Sequence, residues 1–124
     1  MKELIAILTV VMSINSFTDT LMLPMHATYY DLQGTTASGL PTGDGICATG
    51  NKNLLGCEAI LYQRLPDGSK GKYIGTYLIA DTGCSNRVID VWKPNTSEGQ
   101  EFMDKVYEDG CKGKIWVEIR KVDW

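Results

Sequence analysis

The chain has one histidine and no Cys-x-x-Cys pair, and its basic residues never gather into a run. His26 lies far in sequence from most of the four cysteines, whose spacings are irregular, so a metal centre is not expected and no cofactor is implied. Twelve Lys and Arg against fifteen Asp and Glu give a formal charge of −3, which argues against nucleic acid as the main partner. A neutral or zwitterionic polymer such as a glycan stays open. No apolar run reaches the roughly 20 residues that a membrane helix needs. Repeats, linkers and low-complexity tracts are missing too, so 124 residues point to one domain with one modest core.

The N-terminus has a leader-like pattern. Lys2 precedes the apolar run Leu4 to Met12, and polar residues fill Ser13 to Thr20. That run has the size of a signal h-region. The expected division is a signal peptide over 1–22 and a mature domain over 23–124, with no membrane span left after cleavage. A core helix or strand is the other reading of the same run. Cys47, Cys57, Cys84 and Cys111 form an even set in a small domain, which predicts a disulfide framework in an oxidising compartment. Three pairings are possible, and sequence does not choose among them.

Short apolar and β-branched runs predict strands at His26–Tyr30, Ile46–Thr49, Glu58–Leu65, Lys72–Ala80, Arg87–Trp92 and Lys114–Arg120. Asp67-Gly68 between the third and fourth is the strongest hairpin signal. Gly34 to Gly45 reads as a loop and a groove wall. One helix is expected from about Ser97, with a Ser97/Gln100 capping box, an apolar stripe of Phe102, Met103, Val106 and Tyr107, and closure at Gly110. Six short strands and one helix suggest a small closed or nearly closed β-barrel.

Two carboxylates stand out. Asp90 lies inside the apolar strand Val88-Ile89-Asp90-Val91-Trp92, where burial disfavours charge and raises the carboxyl pKa. Asp81 ends the preceding strand beside Thr82 and Gly83, whose hydroxyl and N–H donors favour a carboxylate. One dry and one wet acid suit glycosidic acid–base chemistry, with Asp90 as proton donor. The plainer reading is that Asp81 caps its turn and Asp90 pairs with Arg87 or Lys93.

Ala27-Thr28-Tyr29-Tyr30, Thr36-Ala37-Ser38-Gly39, Leu55-Gly56, Ala80-Asp81-Thr82-Gly83 and Arg87-Val88-Ile89-Asp90, in this order, resemble the 3D domain, named for three aspartates. That domain is similar to the C-terminal part of the membrane-bound lytic transglycosylase A family and to small secreted cell-wall hydrolases of spore-forming bacteria. More distantly it resembles rare lipoprotein A and expansin. The likeness covers Ala27 to Ile119.

The resemblance implies a mainly β fold: a six-stranded double-psi β-barrel with one or two short helices. It further implies lytic cleavage of peptidoglycan glycan strands by a secreted, wall-located monomer. In that reaction the 6-hydroxyl of the muramic sugar attacks its own anomeric carbon. Carried over by motif, Asp90 is the acid/base and Asp81 its partner, with Thr49, Tyr30, Thr82, Gly83 and Trp92 as substrate contacts. Two departures are visible. The family's first aspartate lies a few residues before Leu-Gly, and counting back from Leu55 puts Thr49 there. The loop between Asp81 and Asp90 is shorter than usual, with Cys84 replacing a glycine.

Two further readings compete. In a non-catalytic, expansin-like module, Tyr29, Tyr30, Tyr62 and Trp92 would stack on sugar rings. Asp81-Thr82-Gly83 also matches the active-site triplet of retroviral-type aspartic proteases, but the downstream apolar-apolar-glycine element is absent; Leu54-Leu55-Gly56 lies upstream.

Overall fold

The computed structural model describes residues 20–122. The described residues are mainly β: strands β1 (Thr20–Tyr30), β2 (Ile46–Ala48), β3 (Glu58–Arg64), β4 (Lys70–Asp81), β5 (Val88–Trp92) and β6 (Lys114–Arg120), with one α-helix among them, α1 (Thr96–Tyr107), between β5 and β6. The leader run of residues 4–12 lies outside the described residues. The expected boundary at residue 22 falls inside β1, whose pairing with β6 already includes Thr20 opposite Arg120.

The strands close in the order β1-β5-β2-β4-β3-β6, with β6 returning to β1. Pairs β1–β5 and β2–β4 are parallel and the others antiparallel. Closure leaves no open sheet edge. Alternation sends Met25, Ala27, Cys47, Leu61, Ile79, Ile89, Val91, Ile115, Val117 and Ile119 into one apolar interior. Helix α1 adds Phe102 and Val106 to this cluster. Gly99 makes that docking close: a Cβ there would enter the Tyr29 ring. Tyr29 is therefore packing material between barrel and helix, not a sugar platform.

Local chemistry explains the element ends. Gly68 (φ 90°) turns the β3–β4 hairpin, and Asp67 accepts from the Ser69 N–H at 2.9 Å. The helix cap is Asn95, not Ser97: Asn95 Oδ1 accepts from Glu98 N at 2.9 Å. The helix ends at Tyr107 and tightens into a 3₁₀ turn, Glu108–Gly110, before the chain reverses. Tyr107, expected in the buried stripe, is 55% exposed. Gln63, buried in the interior, is satisfied by the Lys72 N–H on its Oε1 and by Asp109 on its Nε2.

All four cysteines are free thiols, which corrects the expected disulfide framework. Cys47 lies inside the barrel and Cys111 is buried beyond the helix, on elements that do not bring them together. Burial pushes the Cys47 thiol far up, with the Cys84 and Asp90 charges adding to it.

Candidate active site

The second face of the sheet carries both aspartates. Three-residue β2 is inserted between β5 and β4, and its Ala48 is opposite Asp90 on one side and Asp81 on the other. A register shift between Cys47 and Ala48 puts Asp81, rather than Ala80, opposite Ala48. Such a bulge re-aims a side chain. On the far side of β5, Asp90 is opposite Thr28. Thr28, Asp90, Ala48 and Asp81 thus form one row across four strands. The two aspartate Cα atoms are two strand spacings apart, about 10 Å.

Asp90 is half-buried, and its Oδ1 accepts from the Thr28 hydroxyl at 2.7 Å. Burial raises its pKa, and the Thr28 hydrogen bond partly opposes the rise. The causes are burial and the Thr28 bond, without a contribution from the charge of Asp81. The width of β2 lies between the two acids. Among the described residues no cation pairs with Asp90. Lys93 lies instead over the rings of Tyr77 and Phe102, at 5.6 and 5.5 Å from the centroids.

Asp81 is held differently. Its Oδ1 accepts from the N–H of Thr82 and from the N–H of Ala37, both at 2.9 Å. The first bond is a turn cap. The second fastens the Gly34–Gly45 loop across the face of the sheet. The loop also knits itself, through Thr36 N–H to the Leu40 carbonyl and Thr42 N–H to the Gly34 carbonyl, and it lies on β4 through Ser38 N–H to the Ala80 carbonyl. Beneath it Ile46, Ala80 and Trp92 form a second small cluster against Tyr30 and Leu78. Trp92 is 7% exposed and its indole N–H donates to the Leu32 carbonyl. It supports the wall of the site and does not face a ligand.

Two hydroxyls near the carboxylates have no partner. Tyr30 OH and Thr49 Oγ1 are both buried and without a hydrogen bond. Thr49 is fully buried, and its N–H donates to the Asp81 carbonyl at 3.1 Å. The Tyr30 phenol is pushed up to about 12, first by burial and then by the charges of Asp81 and Asp90. It remains an O–H donor at neutral pH. Leaving such a group unsatisfied inside a fold costs about 1–3 kcal/mol.

Cys84 completes the polar surround. Its thiol is raised by burial and by the Asp90 charge, and it donates to the Val88 carbonyl at 3.8 Å. Gly50 packs against the backbone of Cys84 to Asn86, with no room for a side chain, and closes the short loop over the site. Thr82 is half-buried, and Gly83 (φ 121°) is exposed with open space around it. A cleft of about 320 Å³ opens between the glycine-rich loop and β4, lined by Ser38, Leu40, Gly56, Leu78 and Ile79. Neither aspartate is among its lining residues.

The structure therefore sets Asp90, Asp81, Thr49 and Tyr30 about one end of β2, with Thr82 and Gly83 on the adjoining turn. Tyr62 is elsewhere, on β3, edge-on to Tyr73. Thr28 and the Ala37 N–H were missed as site groups. The alternation Thr28-Tyr29-Tyr30 shows that Thr28 and Tyr30 share a face, but not that β5 lies beside them. Among the described residues no group of three or more His, Cys, Asp or Glu could hold a metal, and no helix is long and apolar enough to cross a membrane. No protein-family model matches the chain, and no curated protein is a significant match.

Proposed function

We propose that the chain is a glycan-cleaving protein of the lytic transglycosylase type, acting on peptidoglycan at the cell wall, with Asp90 as its single acid/base. The observation that carries this is the state of Asp90: half-buried, raised in pKa, without a cationic partner among the described residues, and held by one neutral hydroxyl. A carboxyl so placed carries a proton further toward neutrality than an open one and can give it to a leaving oxygen. The ionised form then takes the proton of the muramic 6-hydroxyl as that oxygen closes on the anomeric carbon. No water enters, and the acid is restored.

The partners of the two acids favour one acting carboxyl. Asp81 already accepts two backbone N–H groups, whereas Asp90 accepts one hydroxyl. Asp81 then shapes the loop, and the Tyr30 phenol, raised to about 12 by burial and by both carboxylates, keeps its proton. The crossed strand order with two parallel pairs suits a double-psi barrel. With the cysteines free, wall location rests on the leader-like run of residues 4–12 and on the glycan reading.

A sacculus assay tests the proposal. Soluble anhydromuropeptides from wild type, and none from Asp90→Asn, support it; undiminished release by Asp90→Asn overturns it. The two backbone N–H bonds on Asp81 favour a second reading, a non-catalytic wall-binding module in which that carboxylate is structural. Sacculus pull-down without release distinguishes it.

A further inference from the structure

Away from the acidic row, a cleft of about 250 Å³ lies between the β3–β4 hairpin and the reversal that leads into β6. Arg64, Lys112 and Lys114 line it together with Leu65, Pro66, Gly68, Gly110 and Cys111, and no acidic residue lines it. This gathering of cations runs against the protein's formal charge of −3.

The three cations are arranged unequally. Arg64 is fixed: its Nε donates to the Ile115 carbonyl at 3.2 Å, its Nη2 donates to the Met25 carbonyl at 3.0 Å, and its guanidinium lies over the Trp116 ring. Both bonds go to neutral carbonyls, so the charge is oriented but not neutralised. The two lysines are exposed, and among the described residues neither has a carboxylate partner. Two acids adjoin the lining residues in sequence, and both have partners of their own. Asp67 accepts from the N–H and hydroxyl of Ser69, and Asp109 meets Lys72 and Gln63.

The backbone holds Lys112 in place at some cost. Its φ is 55°, between Gly110 (φ 78°) and Gly113 (φ 83°), so a lysine occupies a left-handed position that glycine or asparagine takes more readily. Three like charges at one cleft repel unless an anion enters, and a guanidinium beside ammonium groups is the donor set that suits phosphate oxygens. We propose that this cleft binds a phosphoryl group, free or carried on a larger molecule, with Arg64 as the fixed donor and Lys112 and Lys114 closing on it.

The test uses the full chain and inorganic phosphate, followed by amide shifts in NMR, with sodium chloride at equal ionic strength as control. Support is a saturable response at Gly68 and Gly110–Lys114 that the Lys112→Asn/Lys114→Gln double variant weakens at least tenfold. Asparagine tolerates the left-handed backbone, and both lysines are exposed, so the variant retains the fold; its far-UV spectrum checks this. Glycerol phosphate and a polyphosphate chain then separate the sources. Tenfold tighter binding of the chain per phosphate means a polymer, and equal binding means a small molecule. A response that chloride reproduces, or one that the double variant leaves unchanged, overturns the proposal.

Discussion

Asp81 and Asp90 flank the same alanine from opposite sides, yet their surroundings differ. Asp81 accepts two backbone N–H groups, one from a loop 44 positions earlier in the chain. Asp90 accepts one hydroxyl and is otherwise half-buried. A carboxylate that ties loop to sheet is committed to being an acceptor. A carboxyl with a raised pKa and one weak partner is free to exchange a proton. The contrast separates the two acids by their partners, where sequence separates them only by the residues on either side.

The largest expected effect comes from removing the exchangeable proton. Asp90→Asn keeps the shape and an acceptor for Thr28 but cannot donate and re-accept a proton. Anhydromuropeptide release should fall at least about 100-fold, the lower end of what general acid–base groups contribute, with unfolding unimpaired. Asp81→Ala should act on stability instead. It leaves the Ala37 and Thr82 N–H groups without their acceptor, at a cost of about 1–2 kcal/mol in urea unfolding. Release per folded molecule should change much less than in Asp90→Asn. The reverse pattern, a stable but inactive Asp81→Ala, would exchange the two roles.

Much of the frame was readable. The Asp67-Gly68 turn, the six strands and the helix follow from local periodicity and turn chemistry. Errors fell where local signals overlap. Asn95 caps the helix because Glu98, three residues later, supplies the same pattern as Ser97 and Gln100. The start of β1 was hidden because Leu21, Leu23 and Met25 continue the apolar character of the leader. Part of the site was beyond sequence reading. The parallel pairing of Thr28 with Asp90 joins positions 62 residues apart, and the shift at Cys47/Ala48 that brings Asp81 into the row leaves no composition signal. The cysteine count pointed to bridges, whereas burial of Cys47 and Cys111 makes them core-filling thiols.

Smaller changes sharpen the contrast further. Thr28→Val removes the one bond that favours the Asp90 carboxylate and keeps the strand's β-branched shape. The Asp90 pKa should move further up, carrying the alkaline limb of the activity profile with it, and stability should fall by about 1 kcal/mol or less at neutral pH. An unchanged limb would mean that some other group sets it.

The smallest effect is the dependence of stability on pH, and its sign is fixed by the direction of the shift. Asp90 holds its proton more tightly in the folded protein than in the unfolded chain. Below the ordinary carboxylate pKa both states are protonated there, and the protonated group contributes its full stabilisation. As pH rises through the window between the ordinary value and the raised folded one, the unfolded chain releases its proton first, and the folded state loses that advantage. Urea unfolding of wild type, compared with Asp90→Asn at each pH, should therefore show wild type losing stability relative to the variant across that window, then running parallel above it. The Thr28→Val background should widen the window upward. A relative gain for wild type on raising the pH would mean that Asp90 is held as a carboxylate, and that the division between the two acids fails.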